Sequence, residues 1–298
     1  MKKLCALLAA LLLALPVAAM AETAVASFYP VYLLALNLTQ GIEGVELTSL
    51  AGADVGCLHD YQLQTGDMKV LAKTDVLLIN GAGMESYLTM VYDAFPELPV
   101  VDASVGVELL CADEEHDHGH DHEHAGVNAH IWLDVQNAIT MTNNLCEGLA
   151  LAWPEHRSAL ESNRDAYILR LMALDSELEA LLAPLQGKAI ITFHEAFPYF
   201  AQAYGIEIAA VINHDPGDAL SPTQLAALVG TVRDLGNPPL FIEPQYSDLS
   251  ARTLAAETGA SVYQLNPVVT GPTDETALTY YEDTMRQNAQ VLLEALGE

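Results

Sequence analysis

Basic side chains are scarce in this 298-residue chain: 11 Lys and Arg stand against 40 Asp and Glu, a formal charge of −29. Such a balance repels nucleic acid and anionic membranes and attracts cations, so neither of those surfaces is an expected partner. Long hydrophobic runs are also missing, apart from one at the start. Lys2 and Lys3 precede an apolar stretch from Leu4 to Val17, and Ala19-Met20-Ala21 follows with the small–x–small pattern of a processing site. This reads as a signal peptide over residues 1–21, cut before Glu22, and the mature chain is expected in the periplasm, at the cell envelope or outside the cell. An uncleaved anchor is the alternative; the run is short for a bilayer span, and no second apolar stretch of about 18 residues appears. Cys5 falls within the leader, too early to carry a lipid. The mature remainder, 9 basic against 40 acidic side chains with a charge of −31, keeps Cys57, Cys111 and Cys146. An oxidising compartment favours pairing two of the three, and the sequence leaves open which.

Two further absences narrow the chemistry. His194-Glu195-Ala196-Phe197-Pro198 departs from the His-Glu-x-x-His signature of helical zinc proteases. Asn80-Gly81-Ala82-Gly83-Met84-Glu85 has the first two glycines of a dinucleotide fingerprint without the third, so a tight strand-to-helix turn is expected there. No internal repeat at a solenoid period is present.

What is present is alternation. Short β-branched runs at 24–28, 45–50, 76–80 and 100–102, and again at 189–193, 206–211, 240–243 and 261–265, are separated by helical patterns such as 84–95, 222–235 and 247–258. That order predicts an α/β fold of two doubly wound, Rossmann-like lobes with parallel sheets. Residues 154–182 break the rhythm, with no internal proline or glycine after Pro154. Leu160, Tyr167, Leu174 and Leu181 recur every seven residues, with Arg164, Leu171 and Leu178 in the intervening rows. The stripe predicts a helix of about 40 Å, ended by Pro184 and Gly187 and acting as a rigid connector; a coiled-coil dimer is the alternative. The expected organisation is an N-terminal lobe at 22–152, a connector at 153–185 and a C-terminal lobe at 186–298, the whole a monomer.

Four histidine-bearing segments carry the chemistry. His59 follows the second strand, His130 precedes a helix beginning near Asp134, and His194 stands at the carboxyl end of a strand. Ligands of open α/β sheets gather outside those carboxyl ends, which places His59 and His194 toward one crevice from opposite lobes; His130 joins them if its loop folds back. Three neutral imidazoles with an open fourth position suit zinc. Residues 113–124, DEEHDHGHDHEH, hold no apolar side chain and read as an acidic surface loop, with His116, His118, His120, His122 and His124 as weaker, overlapping metal sites. Phe197, Tyr199, Phe200 and Trp132 read as packing beside the histidines, and His156 and His214 as solvent-facing.

The segments SFYPVY, HDYQLQTGDMKVLAKTDVLLINGAGME, NAHIWLDVQNA, ITFHEAFPYFAQAYG, FIEPQYS and LNPVVTGP, in this order, resemble the zinc and manganese solute-binding proteins of bacterial ABC transporters over essentially the whole mature chain. The resemblance implies two α/β lobes, a long connecting helix and a metal held in the inter-lobe cleft. It implies His59, His130 and His194 as ligands and Zn2+ as transported cargo rather than catalytic cofactor. The partners it implies are a membrane permease and its ATPase. A histidine at 194, where manganese relatives usually have a carboxylate, resembles the zinc branch; manganese is the alternative cargo. Relatives often carry aspartate in the last motif, where this chain has Asn266. The fourth position therefore falls to water, a loop histidine or one of Glu195, Glu243 and Asn266. Cys57 is a further soft candidate, and Asp60 and Glu195 are expected to orient the neighbouring imidazoles. A zinc hydrolase using Glu195 as base, and a metal buffer acting without a transporter, are the competing functions.

Overall fold

The computed structural model describes residues 21–53, 55, 58, 61–111, 126–212 and 220–297. The first half holds β1 (Glu22–Ala26), α1 (Tyr29–Thr39), β2 (Val45–Ser49), α2 (Thr65–Leu71), β3 (Val76–Ile79), α3 (Leu88–Ala94), β4 (Val100–Asp102) and α4 (Val135–Ala152). A one-turn helix at Pro154–His156 leads into α5 (Arg157–Leu182). The second half holds β5 (Ala189–Thr192), α6 (Pro198–Tyr204), β6 (Glu207–Val211), α7 (Pro222–Asp234), β7 (Leu240–Ile242), α8 (Leu249–Thr258), β8 (Val262–Gln264) and α9 (Ala277–Leu296).

Each half builds one four-stranded sheet, in the orders β2-β1-β3-β4 and β6-β5-β7-β8, and every pairing is parallel. Parallel strands covered on both faces read as continuous apolar runs, as the fully buried Val76–Ile79 illustrates. The strand order reverses between β1 and β3 in one lobe and between β5 and β7 in the other, which defines the carboxyl-end crevice where ligands of such sheets bind.

The connector is the helix that the proline-free run predicts. Leu160, Tyr167, Leu171, Leu174 and Leu178 are buried, Leu182 replaces the half-buried Leu181 at the end of the stripe, and Arg164 lies at the margin, paired with Asp165. The stripe packs against α1, α4, α6 and α9 of the same chain, which satisfies it without a coiled-coil partner. Asp175 is buried within it, accepting from Gln136 Nε2 at 2.6 Å and Tyr204 Oη at 3.0 Å. The terminal helix α9 packs on α1 and α5 as well as β8, so it straps the lobes alongside the connector.

The expected turn after β3 is present. Gly81, Ala82 and Gly83 all take positive φ, and a Cβ on Gly81 would lie 1.9 Å from Asp102 Oδ1, which requires glycine there. Because the turn uses residues 81–87, α3 starts later than the pattern 84–95 suggests. Among the described residues no helix is long and apolar enough to cross a membrane. Cys111 is exposed and Cys146 buried, both as free thiols.

Candidate metal centre

His130 reaches the crevice because its loop does fold back. Leu110 receives Asn128 N–H at 2.9 Å, and Cys111 bridges Val127, so the chain closes on itself before turning toward α4. The one-turn helix Ile131–Leu133 then buries Trp132, and Asp134 caps α4 by accepting from Gln136 N–H at 2.8 Å. His130 is itself 2% exposed. Its Nδ1 lies 3.1 Å and its backbone N 2.9 Å from Asn128 Oδ1, while Asn128 Nδ2 donates to the Glu195 carbonyl at 2.7 Å. That last bond fixes which end of the amide is oxygen. His130 therefore carries its proton on Nδ1 and keeps an Nε2 lone pair.

The lone pair faces the other lobe. His194, half-buried two residues beyond β5, places its Nε2 3.3 Å from His130 Nε2, with the rings nearly perpendicular at 81°. Two ligands on a tetrahedral ion with bonds of roughly 2.0–2.1 Å stand about 3.3–3.4 Å apart. The two nitrogens are thus spaced as two corners of one zinc polyhedron. Among the described residues no third His, Cys, Asp or Glu completes a metal-binding group. His59, with Cys57, Asp60, His214 and the loop histidines His116, His118, His120, His122 and His124, lies outside the described residues.

The remaining fourth-position candidates sit differently. Glu243 directly follows β7 beside the switch point, 4% exposed, lining a cavity of about 20 Å³ with Phe193, His194, Ile242, Tyr246 and Ser250. One of its oxygens accepts from Gln245, the other has no hydrogen-bond partner among the described residues, and burial pushes its carboxyl up to about 8. Asn266 spends its side chain locally: Oδ1 accepts from Val268 N–H at 2.8 Å and Nδ2 donates to Tyr280 Oη at 3.2 Å. Glu195 contributes its backbone carbonyl to Asn128.

Four supporting residues, Asn128, Tyr199, Asn80 and Glu85, carry no ligand motif of their own. For Asn128 the Asn-x-His spacing was the only signal. Tyr199 is more than packing, since its hydroxyl donates to the Asn128 carbonyl at 2.8 Å and accepts Leu110 N–H at 2.9 Å. Asn80 Nδ2 donates to the Ala129 carbonyl at 3.0 Å. Glu85 spans the switch point, accepting from Ser27 Oγ, Asn80 N–H and Gly81 N–H at 2.7, 2.7 and 3.1 Å. Burial nevertheless raises its carboxyl to about 7. Trp132 packs edge-on against Phe28 and donates Nε1–H to the Pro267 carbonyl at 2.8 Å. His156 corrects its solvent-facing expectation: Glu22 sits 2.9 Å from its Nε2, and its side chain is 24% exposed.

Two parallel α/β lobes joined by a long helix, with imidazoles from both lobes meeting at the strands' carboxyl ends, define a cleft-type binding protein. Residues 24–295 match the family described as zinc-uptake complex component A, periplasmic, and the chain belongs to that family. It is similar to the zinc-binding lipoprotein AdcA of Streptococcus pneumoniae, at 28% identity over 90% of this chain and 54% of that protein. The manganese-binding lipoprotein MntA of Halalkalibacterium halodurans is 23% identical over 80% of this chain and 78% of its own. Among solved structures, the SBP FpvC from Pseudomonas aeruginosa, in complex with Mn2+, superposes with a TM-score of 0.81 at 25% identity, covering 93% of this chain and 99% of that one. The chain spans about half the length of the AdcA relatives it matches. These relatives are metal-binding proteins rather than enzymes, as expected of a chain without catalysis.

Proposed function

We propose that this chain captures Zn2+ in the inter-lobe cleft through His59, His130 and His194 and hands it to a membrane permease driven by an ATPase. The observation that carries the reading is the 3.3 Å separation of the His130 and His194 Nε2 atoms across the lobes. Without metal, that pair is a hydrogen bond with His194 donating, since His130 Nδ1 holds the only proton its ring has to place. A cation replaces the bridging proton, which moves the His194 tautomer to Nδ1–H. Nitrogen donors favour zinc over manganese, whose preferred ligands are carboxylate, carbonyl and water.

Manganese is the second reading, supported by the manganese-binding relative and the Mn2+-complexed neighbour. Glu243 is the fourth-position candidate that best fits that reading, because its unpartnered oxygen shares a cavity with His194. Residues 113–124 serve as auxiliary zinc capture. Export as a periplasmic or envelope protein, cleaved after Ala21 and acting as a monomer, completes the proposal.

Imidazoles bind metal only when unprotonated, so zinc affinity falls steeply as pH drops through about 6.5, the ordinary histidine range. Titrating metal-stripped protein with zinc from pH 7.5 to 5 tests this. The expected result is a loss approaching tenfold per pH unit for each ligand that must deprotonate, abolished with the binding itself in His194→Ala. A flat profile, or full affinity in His194→Ala, rejects the tri-histidine site.

A further inference from the structure

Residues 266–272, between β8 and α9, reach back across the molecule to the first lobe. Trp132 donates its indole N–H to the Pro267 carbonyl at 2.8 Å, the Tyr29 hydroxyl donates to the Pro272 carbonyl at 2.6 Å, and Gly271 N–H donates to the Ala53 carbonyl at 3.2 Å. Two of the three anchors stand close to a candidate ligand, one in space and one along the chain. The Trp132 ring lies 5.2 Å from that of His130. Ala53 precedes His59 by six residues in the same inter-element stretch.

The segment is held in a conformation that its residues would not choose. Val268 is fully buried at φ +64°, a left-handed backbone that a β-branched side chain rarely adopts. Asn266 supports it by accepting Val268 N–H. Asn288 on α9 grips Asn266 on both sides, accepting its N–H at 2.9 Å and donating to its carbonyl at 2.8 Å. At the far end only glycine fits position 271: a Cβ there would lie 2.5 Å from the Tyr280 ring and 2.6 Å from the Tyr29 hydroxyl. A strained backbone persists only where its surroundings over-determine it, and here they are Asn266, Asn288 on α9 and the Trp132 indole on the Pro267 carbonyl.

We propose that residues 266–272 form a clasp that sets how long the metal stays bound, with Gly271 and Tyr29 as its positioning residues. The inference rests on the cleft reading of the metal site. Tying Trp132, Tyr29 and Ala53 of the first lobe to the segment that follows β8 keeps His130 and His194 from parting across the lobes, so the clasp acts on release rather than on encounter.

The test is stopped-flow zinc release into excess chromophoric chelator from the mature chain, with the association rate measured in parallel. Tyr29→Phe removes one hydroxyl–carbonyl bond and no volume; release is expected to quicken about three- to tenfold, with association unchanged. Gly271→Ala forces Tyr29 and Tyr280 aside and is expected to release faster still. If Gly271→Ala fails to fold, Tyr29→Phe decides alone. Wild-type release from folded Tyr29→Phe, or an effect confined to association, overturns the clasp. His130→Ala and His194→Ala separate the two ideas. If they bind zinc as tightly as wild type, the cleft reading fails and takes the clasp with it. If they lose zinc while the clasp variants release it normally, only the clasp fails.

Discussion

Replacing Asn128 by alanine isolates the orientation of His130 from the identity of the ligand. The amide oxygen accepts from both the backbone N–H and Nδ1–H of His130, at 2.9 and 3.1 Å, in a site where His130 is 2% exposed. Alanine removes both bonds to His130, each worth about 0.5–1.5 kcal/mol net, together with the donation to the Glu195 carbonyl that Asn128→Asp also lacks, and frees the ring to rotate or to protonate Nε2 instead. The sum, about 1–3 kcal/mol, agrees with the roughly 10- to 100-fold loss of metal affinity typical when a ligand's orienting partner is removed. Competition with a chromophoric zinc chelator at neutral pH reads that change. Asn128→Asp keeps an acceptor for Nδ1–H but gives up the donor to the Glu195 carbonyl. Its affinity is expected within about fivefold of wild type, because a carboxylate raises the basicity of the imidazole it holds. Unchanged affinity in Asn128→Ala, with affinity lost in His130→Ala, would refute the reasoning: His130 would bind without being held.

Other consequences follow from the surrounding packing. Glu85 has its carboxyl raised from 4.5 to about 7 in the fold, so the folded state binds the extra proton and stability declines as pH rises through that window. Relative to Glu85→Gln, wild type is expected to lose on the order of 3 kcal/mol of unfolding free energy between about pH 4.5 and 7, read by urea denaturation; parallel curves would contradict it. Gly148 lets α4 sit on β4, since a Cβ there would lie 2.4 and 2.5 Å from the two Val101 methyls. Gly148→Ala gains about 1 kcal/mol of helix propensity yet is expected to lower Tm by a few degrees, because overpacking costs about 1–3 kcal/mol; a raised Tm would show that Val101 yields freely. Cys146 is 1% exposed and burial raises its thiol, whereas Cys111 is exposed. Maleimide should therefore spare Cys146 until the chain unfolds, and native-state labelling at Cys146 would argue against the α4 packing.

The strands were legible because parallel strands buried on both faces are short apolar runs: Val76–Ile79 and Leu240–Ile242 stand within two residues of their sequence patterns. The connector was legible from its missing proline and glycine. Helix α1 was not, because Tyr29–Thr39 is buried nearly all round and so carries no amphipathic period. Helix α9 did carry one, yet nothing local revealed that it crosses back onto α1 and α5. At the site, two candidate ligands could be named from motif and strand end, but their meeting depends on the contacts of Asn128 with Glu195, of Tyr199 with Asn128 and of Asn80 with Ala129, all long-range. Asn266 shows the converse. Its sequence position invites a ligand reading, and only the structure reveals an amide engaged by Val268 and Tyr280.

The most direct test of the metal-cleft account is a competitive zinc and manganese titration of metal-stripped residues 22–298, with and without residues 113–124. The account predicts one tight zinc site that survives loop deletion, that manganese competes for poorly, and that disappears in His130→Ala and in His194→Ala. Tight binding that vanishes with the loop, or that persists in both histidine variants, would contradict it and assign the metal to the histidine-rich loop instead of the cleft.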